Sequence, residues 1–554
     1  VRKTLLSALA LALLLTPSPF GRVGAQESAL KPVLTVSLSG VDAIKKDLGT
    51  VADASEMSEL AMVLDQVPLQ GLDASKPWGV VVQTDGSTFP VMAFVPVTSL
   101  EQLVGLVEAM SQGQADLPDP DADGVYEISG PMERSVFLQQ KGNWAFLTDS
   151  REALDTAPAD PIPLLGGLQE SYALAIRLVV KNIPPEVRSM PMSMLEMGMA
   201  MGMQKMPDES DEQFAIRQKA ARRSMDQFKK LLNETDSLQI GLAVDAQSKA
   251  VRLDIEMTAV EGTSTAADYA LAAEAKSSLT GFFLPEAALT ALWAGTMSET
   301  DAAQLTDMID TMDAKAMENL DEQELGASEK ELAKGLLGDL IDVIRRTVAS
   351  RRVDLGFSVV ADADSLNLVA AGFVADPAKL ERLAKQVANL AVQENAEAAE
   401  AIQLDAEEYQ GVRLHLVEVP AEALPGDDVP AMLVGDTATA VLGFGAENVY
   451  LAAGPKAVEL LKAAIDGSRA ATAQAVLPLR LSMSASAIGR ILEGVGAADE
   501  IEVPGLVDAL QQAGPNDHVT ITAEAVDGGV RTRIELEQGV LQVIGAAVRA
   551  GMNP

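Results

Sequence analysis

Residues 79–110 read GVVVQTDGSTFPVMAFVPVTSLEQLVGLVEAM, and residues 354–390 read DLGFSVVADADSLNLVAAGFVADPAKLERLAKQVANL. Each runs from an apolar segment through a polar turn to a second apolar segment ending in Phe-Val, then into an amphipathic helix. Phe94-Val95 aligns with Phe373-Val374, and Leu100-Glu101-Gln102-Leu103 aligns with Leu380-Glu381-Arg382-Leu383. Asp85-Gly86 between apolar runs signals a hairpin. Thr98-Ser99-Leu100-Glu101 has the form of a capping box, with Thr98 accepting a backbone N–H and Glu101 reaching back. Leu100, Leu103, Val104, Val107 and Met110 then share one helical face. The unit is strand, turn, strand, helix, and it occurs twice.

Other segments follow the same order in both parts of the chain. Pro32–Leu38 reads as a strand and Val41–Leu64 as a helix. Short strands are expected near Gly124–Ser129, Ser135–Gln140 and Asn143–Thr148, with Asp149 capping a short helix. Tyr172–Val180 alternates as a strand, Pro184-Pro185 opens a helical region reaching Thr235, Ser237–Val244 and Ala250–Val260 form a hairpin, and Thr265–Ser277 is a closing helix. Asn448-Val449-Tyr450-Leu451 echoes Asn143-Trp144-Ala145-Phe146, and Leu477–Ser482, His518–Val526, Val530–Leu536 and Val540–Val548 echo the later segments. Two apolar stripes within Ser298–Ser350, separated by acidic Asp321–Glu329, suggest an inserted helical hairpin. The expected fold is α+β: two similar domains with mostly antiparallel sheets covered by helices, plus helical insertions. Residues 26–278 form the first repeat, with a Met-rich helical segment 184–235, and residues 279–554 form the second, with insert 298–350.

The N-terminus reads as a secretory signal peptide over residues 1–25. Arg2 and Lys3 precede the apolar run Leu5–Leu15, and Val23-Gly24-Ala25 supplies small residues at the cleavage position. The run is shorter than the ~20 residues a membrane span needs. The expected localisation is therefore periplasmic or extracellular, with no transmembrane helix in the mature chain. Residues 1–25 hold three basic residues and no acids, so the net charge of −38 becomes −41 without them. Such a surface repels phosphate backbones and argues against nucleic-acid partners. The chain has no cysteine, which excludes thiol nucleophiles, thiolate metal sites and disulfides.

Lys76-Pro77-Trp78-Gly79-Val80, the strand Arg252–Val260 and the helix Lys334–Val348 resemble parts of large exported proteins of unknown function common in planctomycete-type bacteria. The resemblance implies export and a duplicated α+β architecture. It carries no catalytic or ligand residues.

Chemistry-bearing residues are sparse. The two histidines, His415 and His518, fall in expected strands and cannot make a three-histidine zinc site. There is no Gly-x-Ser-x-Gly elbow and no Walker lysine. Asp119, Asp121 and Asp123 before Gly124 match the opening of a calcium loop, but position twelve is Gly130 in place of a bidentate Glu. The residues 190–206 hold eight methionines. Met190, Met194, Met197 and Met201 share one helical face, while Met192, Met199, Met203 and Met206 form another. Such a helix reads as core packing, as a pliable seat for a hydrophobic ligand or protein partner, or as a soft copper(I) site. The expected function is an exported, non-catalytic protein that binds a hydrophobic ligand or partner or serves a structural role, with no cofactor beyond a candidate calcium. The alternatives are a secreted hydrolase using carboxylate acid/base chemistry and divalent-metal or copper(I) binding.

Overall fold

The computed structural model describes residues 30–59, 62, 69–110, 119–129, 135–206, 209–324, 326–362, 365–421, 435–470, 475–497, 503 and 505–552. Residues 1–25, where a signal peptide is expected, lie outside them. The chain is α+β and divides into two compact units. One contains the described residues up to Ala267 with Asp527–Arg531; the other contains Asp268–Val526 and the described residues from Thr532.

In chain order, the first unit contains β1 (Lys31–Leu38), α1 (Val41–Ser55), β2 (Trp78–Thr84), β3 (Val91–Pro96), α2 (Leu100–Met110), β4 (Val125–Ser129), β5 (Ser135–Lys141), β6 (Trp144–Thr148), α3 (Arg151–Asp155) and α4 (Leu168–Ser171). It continues through β7 (Leu174–Val179), α5 (Pro185–Gly202), α6 (Asp211–Glu234), β8 (Thr235–Asp245) and β9 (Ala250–Ala259) to α7 (Ser264–Ala272). Its strands pair antiparallel in the order β9-β8-β7-β1-β2-β3-β6-β5-β4.

Local chemistry sets the boundaries. Asp85 Oδ1 accepts the N–H groups of Thr88 and Ser87, both at 2.8 Å, turning the chain between β2 and β3. Those bonds hold its carboxyl at about 2. The expected cap at Thr98 is displaced by one residue: Ser99 Oγ accepts the Gln102 N–H at 3.3 Å. Likewise Ser150, not Asp149, caps α3, while Asp149 accepts the Val91 N–H. The helix expected to reach Leu64 ends at Ser55, where Glu56 turns left-handed at φ 57°.

A core forms beneath β2, β3 and β6 from Val81, Phe94, Trp144, Phe146, Leu154 and Leu165. The Phe94 and Trp144 rings meet edge to face at 5.8 Å. Gly79 permits this packing: a Cβ there would lie 2.4 Å from Leu165 and 2.5 Å from the Phe94 ring. On the opposite face α2 covers the far end of the sheet, where Leu100, Leu103 and Val104 pack with Ala145, Leu138 and Tyr126.

The second unit begins with β10 (Leu289–Thr296), α8 (Glu299–Glu322), α9 (Ala327–Ala349), β11 (Arg352–Ala361), β12 (Leu366–Phe373), α10 (Pro377–Glu394) and α11 (Ala396–Ala401). It continues with β13 (Ile402–Tyr409), β14 (Val412–Pro420), β15 (Thr437–Phe444), β16 (Asn448–Ala453), α12 (Ala457–Ala470), β17 (Leu479–Ser484), α13 (Ala485–Gly494), α14 (Leu506–Gln511) and β18 (His518–Val526), with β19 (Gly529–Leu536) and α15 (Gln538–Met552) closing the chain. Its strand order is β18-β17-β10-β11-β12-β16-β15-β14-β13, again antiparallel. The first unit gives β8-β7-β1-β2-β3-β6-β5-β4 over the corresponding positions; β13 is an added edge strand. The core gathers Phe282, Val369, Val441, Tyr450, Ala452 and Leu461. The expected insert is the hairpin α8–α9, pinned by Arg345 to Asp310 and Asp313 at 2.9 and 2.8 Å.

Strand order agrees between the units, but the Phe94–Phe373 alignment does not survive. Phe94 pairs with Phe146 inside its strand and is fully buried. Phe373 pairs with Asn448 at a strand end and lies under the Arg352 guanidinium, 4.4 Å from its ring centroid. Insertions and register differences place the two Phe-Val pairs at different depths of the sheet.

Candidate functional site

The two faces of the first unit's sheet differ: one is uniformly apolar and the other mixes polar and apolar residues. On one face, the registered row across β9, β8, β7, β1 and β2 is Ile255, Ile240, Ile176, Val36 and Val80. The row on one side is Leu253, Leu242, Leu174, Leu38 and Trp78, and on the other Met257, Leu238, Leu178, Leu34 and Val82. All fifteen positions are apolar. Yet this face is open: Leu174, Ile176, Ile240 and Leu242 are 37–40% exposed, and the other eleven are half-buried.

The opposite face is covered and mixed: it carries Val33, Val81 and Ala175, all buried, beside polar residues. Thr35, Ser37, Gln239 and Asp254 are buried there. Arg177 donates from Nε and its terminal nitrogen to Gln239 Oε1 at 3.0 and 2.7 Å. Tyr172 donates to Asp254 at 3.1 Å, and burial followed by the Asp254 charge raises the phenol's pKa. A soluble sheet ordinarily puts its apolar side inward. Here the side carrying the polar residues is the one buried, under α4 and its neighbours, with Leu168 and Tyr172 packed on Ala175, while the uniformly aliphatic side stays open.

The Met-rich segment forms α5, opened by Pro185 and followed by a separate helix whose start Ser210 and Gln213 cap reciprocally. Met190, Met194 and Met197 are exposed, Met194 by 75%, whereas Met192 and Met225 of α6 are buried. The Met201 side chain lies outside the described residues. Met206 falls beyond the helix end and is exposed. Between α5 and α6 lies an open groove of about 370 Å³ lined by Met199, Met203, Met225, Arg222 and Lys229 with Glu196 and Asp226, both exposed acids.

The acidic loop is closed by protein charge. Arg151 pairs with Asp121 and with Asp123, the latter at 3.2 Å. Asp121 Oδ1 also accepts the N–H groups of Val125 and Asp123 at 3.0 and 2.9 Å. These bonds, Val125 first, hold its carboxyl below the usual range. Asp119 is exposed.

Among the described residues, one group has side chains spaced like metal ligands: Glu381 of α10, Asp405 of β13 and His415 of β14. Sequence reading does not find it, because Asp405 meets His415 only through the β13–β14 pairing and Glu381 arrives from a separate helix, α10. A bulge in β13 puts Asp405 at φ 52° and aims its N–H at His415 Nδ1, 2.9 Å away. The neutral imidazole therefore carries its proton on Nε2, which lies 3.5 Å from Glu381 Oε1. Lys385 Nζ stands between the carboxylates, 3.0 Å from Glu381 and 2.7 Å from Asp405. Burial would raise the Glu381 pKa, but hydrogen bonds from Arg413 and Lys385 outweigh it and hold the carboxyl ionised. Lys385 provides the cation between the two carboxylates, and the ring nitrogen nearest Glu381 bears a proton, so in this geometry the cluster is held together as an ion-pair network.

His518 lies beside Asp517 and Glu537, at 3.2 and 3.4 Å. Ser484 donates to Asp517 at 2.9 Å and not to a histidine, so no Ser-His-Asp relay is assembled. Among the described residues no helix is long and apolar enough to cross a membrane. No family model, curated protein or solved structure matches the chain.

Proposed function

We propose that this chain is an exported, non-catalytic binding protein for aliphatic-chain amphiphiles, built from a duplicated α+β unit. The observation that carries the reading is the open, uniformly apolar face across β9, β8, β7, β1 and β2. Strands β8, β7, β1 and β2 are paired on both sides, so over them an occupant finds apolar area without directional backbone partners. Protein interfaces concentrate energy in Trp, Tyr and Arg anchors; this face is Leu, Ile, Val and Met with Trp78 at one corner. Two copies of so acidic a chain also repel each other.

Dimensions suit a lipid chain. Five strands at about 4.8 Å spacing make a bed about 19 Å across, and one leaflet of a bilayer core is about 15 Å deep. Each methylene removed from water contributes about 0.8 kcal/mol, so half-covering a long chain suffices for micromolar affinity. Export is supported by the pattern of residues 1–25, and duplication by the shared strand order. The exposed Met190–Met197 stripe adds a second apolar surface to the same unit. The carboxylate-hydrolase alternative gains no support, because the groove acids Glu196 and Asp226 are exposed.

The test is titration with N-phenylnaphthylamine, a neutral fluorophore that brightens in apolar sites. Saturable enhancement is expected, reversed by lysophosphatidylcholine and weakened at least tenfold by Ile176→Asp. Ile176 is already 40% exposed, so this variant retains the wild-type thermal midpoint. Equal enhancement in both proteins would remove the face from the function.

A further inference from the structure

The second unit also leaves an apolar face open at its own sheet. Across β18, β17, β10, β11, β12 and β16 the central registered row is Ile521, Leu481, Ala291, Phe357, Ala370 and Leu451. The flanking rows contain only Leu, Val, Met, Ala, Gly and Trp293. The most open members are Trp293, Leu355 and Leu451, at 51, 44 and 39%. On the reverse face Thr290, Asp354, Ser358 and Ser482 are buried; Thr290 and Ser358 bond at 2.7 Å and Ser277 donates to Asp354 at 2.6 Å. Trp293 pairs with Leu355, and Leu355 pairs with Gly372, where a Cβ would come within 2.7 Å of the Leu355 side chain. The missing side chain leaves Leu355 room to lie flat beside the indole.

We infer that the second unit holds an independent seat for the same ligand class, an unbranched acyl chain lying beside Trp293, so that one chain carries two amphiphiles. The inference rests on the proposed function of the first unit but is tested separately from it. The headgroup is zwitterionic or uncharged, because a net charge of −38 disfavours an anionic one. An acyl chain fits better than a protein segment because the three rows offer no charge and no side-chain hydrogen-bonding group beyond the Trp293 indole, and strands β17, β10, β11 and β12 are paired on both sides.

The three tryptophans report the two seats independently. Trp78 lies on the first unit's open face, Trp293 on the second's, and Trp144 is buried in a core. The probe is dibromostearoyl lysophosphatidylcholine below its micelle concentration, whose bromines quench an indole only on contact. In full-length Trp78→Phe protein, saturable quenching is expected to persist, and adding Leu355→Asp to it is expected to raise the half-saturating concentration at least tenfold. In Trp293→Phe protein, quenching through Trp78 is expected to persist unchanged by Leu355→Asp. Quenching lost in Trp78→Phe but kept in Trp293→Phe overturns the second seat and leaves the first. The reverse pattern supports the second seat and overturns the first. Absence of quenching in both overturns both. A Trp293 emission shift that follows protein concentration without lipid assigns the face to a second copy and overturns the inference.

Discussion

Gly79 shows how closely one residue is specified. Its missing side chain lets the Phe94 ring and Leu165 rest on β2. Gly79→Ala would force the fully buried ring aside, and overpacking of this kind costs about 1–3 kcal/mol. Urea unfolding should show a lower midpoint with unchanged slope. His415 is specified by charge and burial. Burial pushes its pKa below 6.5, and the Asp405 N–H occupies the atom that a second proton would need. The unfolded chain therefore binds the proton first, so this group's stabilisation is complete above about pH 6.5 and is lost as pH falls below it. Glu381, Asp405, Lys385 and Arg413 all face or flank the ring; bonds from Arg413 and Lys385 hold the Glu381 carboxyl low, and their carboxylate partners hold the Lys385 and Arg413 cations. His415→Gln should flatten the decline in urea midpoint between pH 7.5 and 5.5; an equal decline in both proteins would assign it elsewhere. Neither residue's role was legible beforehand. A glycine in a strand does not name the ring above it, and Glu381, Asp405 and His415 are gathered from three separate elements.

Elements were more legible than their partners. The strand-turn-strand-helix unit, the β8–β9 hairpin and the α8–α9 insert follow from period-two and period-3.6 patterns. At α2 the cap lies one residue later than the pattern suggests, where the N–H groups of both Thr98 and Ser99 go to Gly71 O, at 2.9 and 3.3 Å, a contact outside the local sequence. For α5, periodicity separated two methionine faces without saying which one faces solvent. The structure gives exposed Met190, Met194 and Met197 against buried Met192 and Met225. Brief treatment with dilute peroxide should thus oxidise Met194 and Met197 several-fold faster than Met192 and Met225, as read by peptide mass mapping. Equal rates would mean that α5 and α6 separate readily in solution.

At the scale of the molecule, the sequence shows alternation in every strand but not which side the helices cover. Pro32–Leu38 puts Leu34, Val36 and Leu38 on one side and Val33, Thr35 and Ser37 on the other. The ordinary expectation buries the first set; the fold buries the second. The open apolar face, present in both units, underlies the functional reading and could only emerge once strand order and helix placement were known. The chain's charge adds a further expectation. Anionic lysophosphatidylglycerol should bind more weakly than lysophosphatidylcholine of equal chain length at low salt, and the gap should close as the Debye length shrinks from ~30 Å at 0.01 M to ~3 Å at 1 M.

The most direct test of the central claim is calorimetric titration of lysophosphatidylcholine, below its micelle concentration, into the full-length protein at two temperatures. The account predicts saturable binding with a negative heat-capacity change, the mark of apolar surface leaving water, and at least tenfold weaker binding to the first unit in the double variant Ile176→Asp, Ile240→Asp. Heat no greater than dilution, or identical isotherms for wild type and variant, would contradict it.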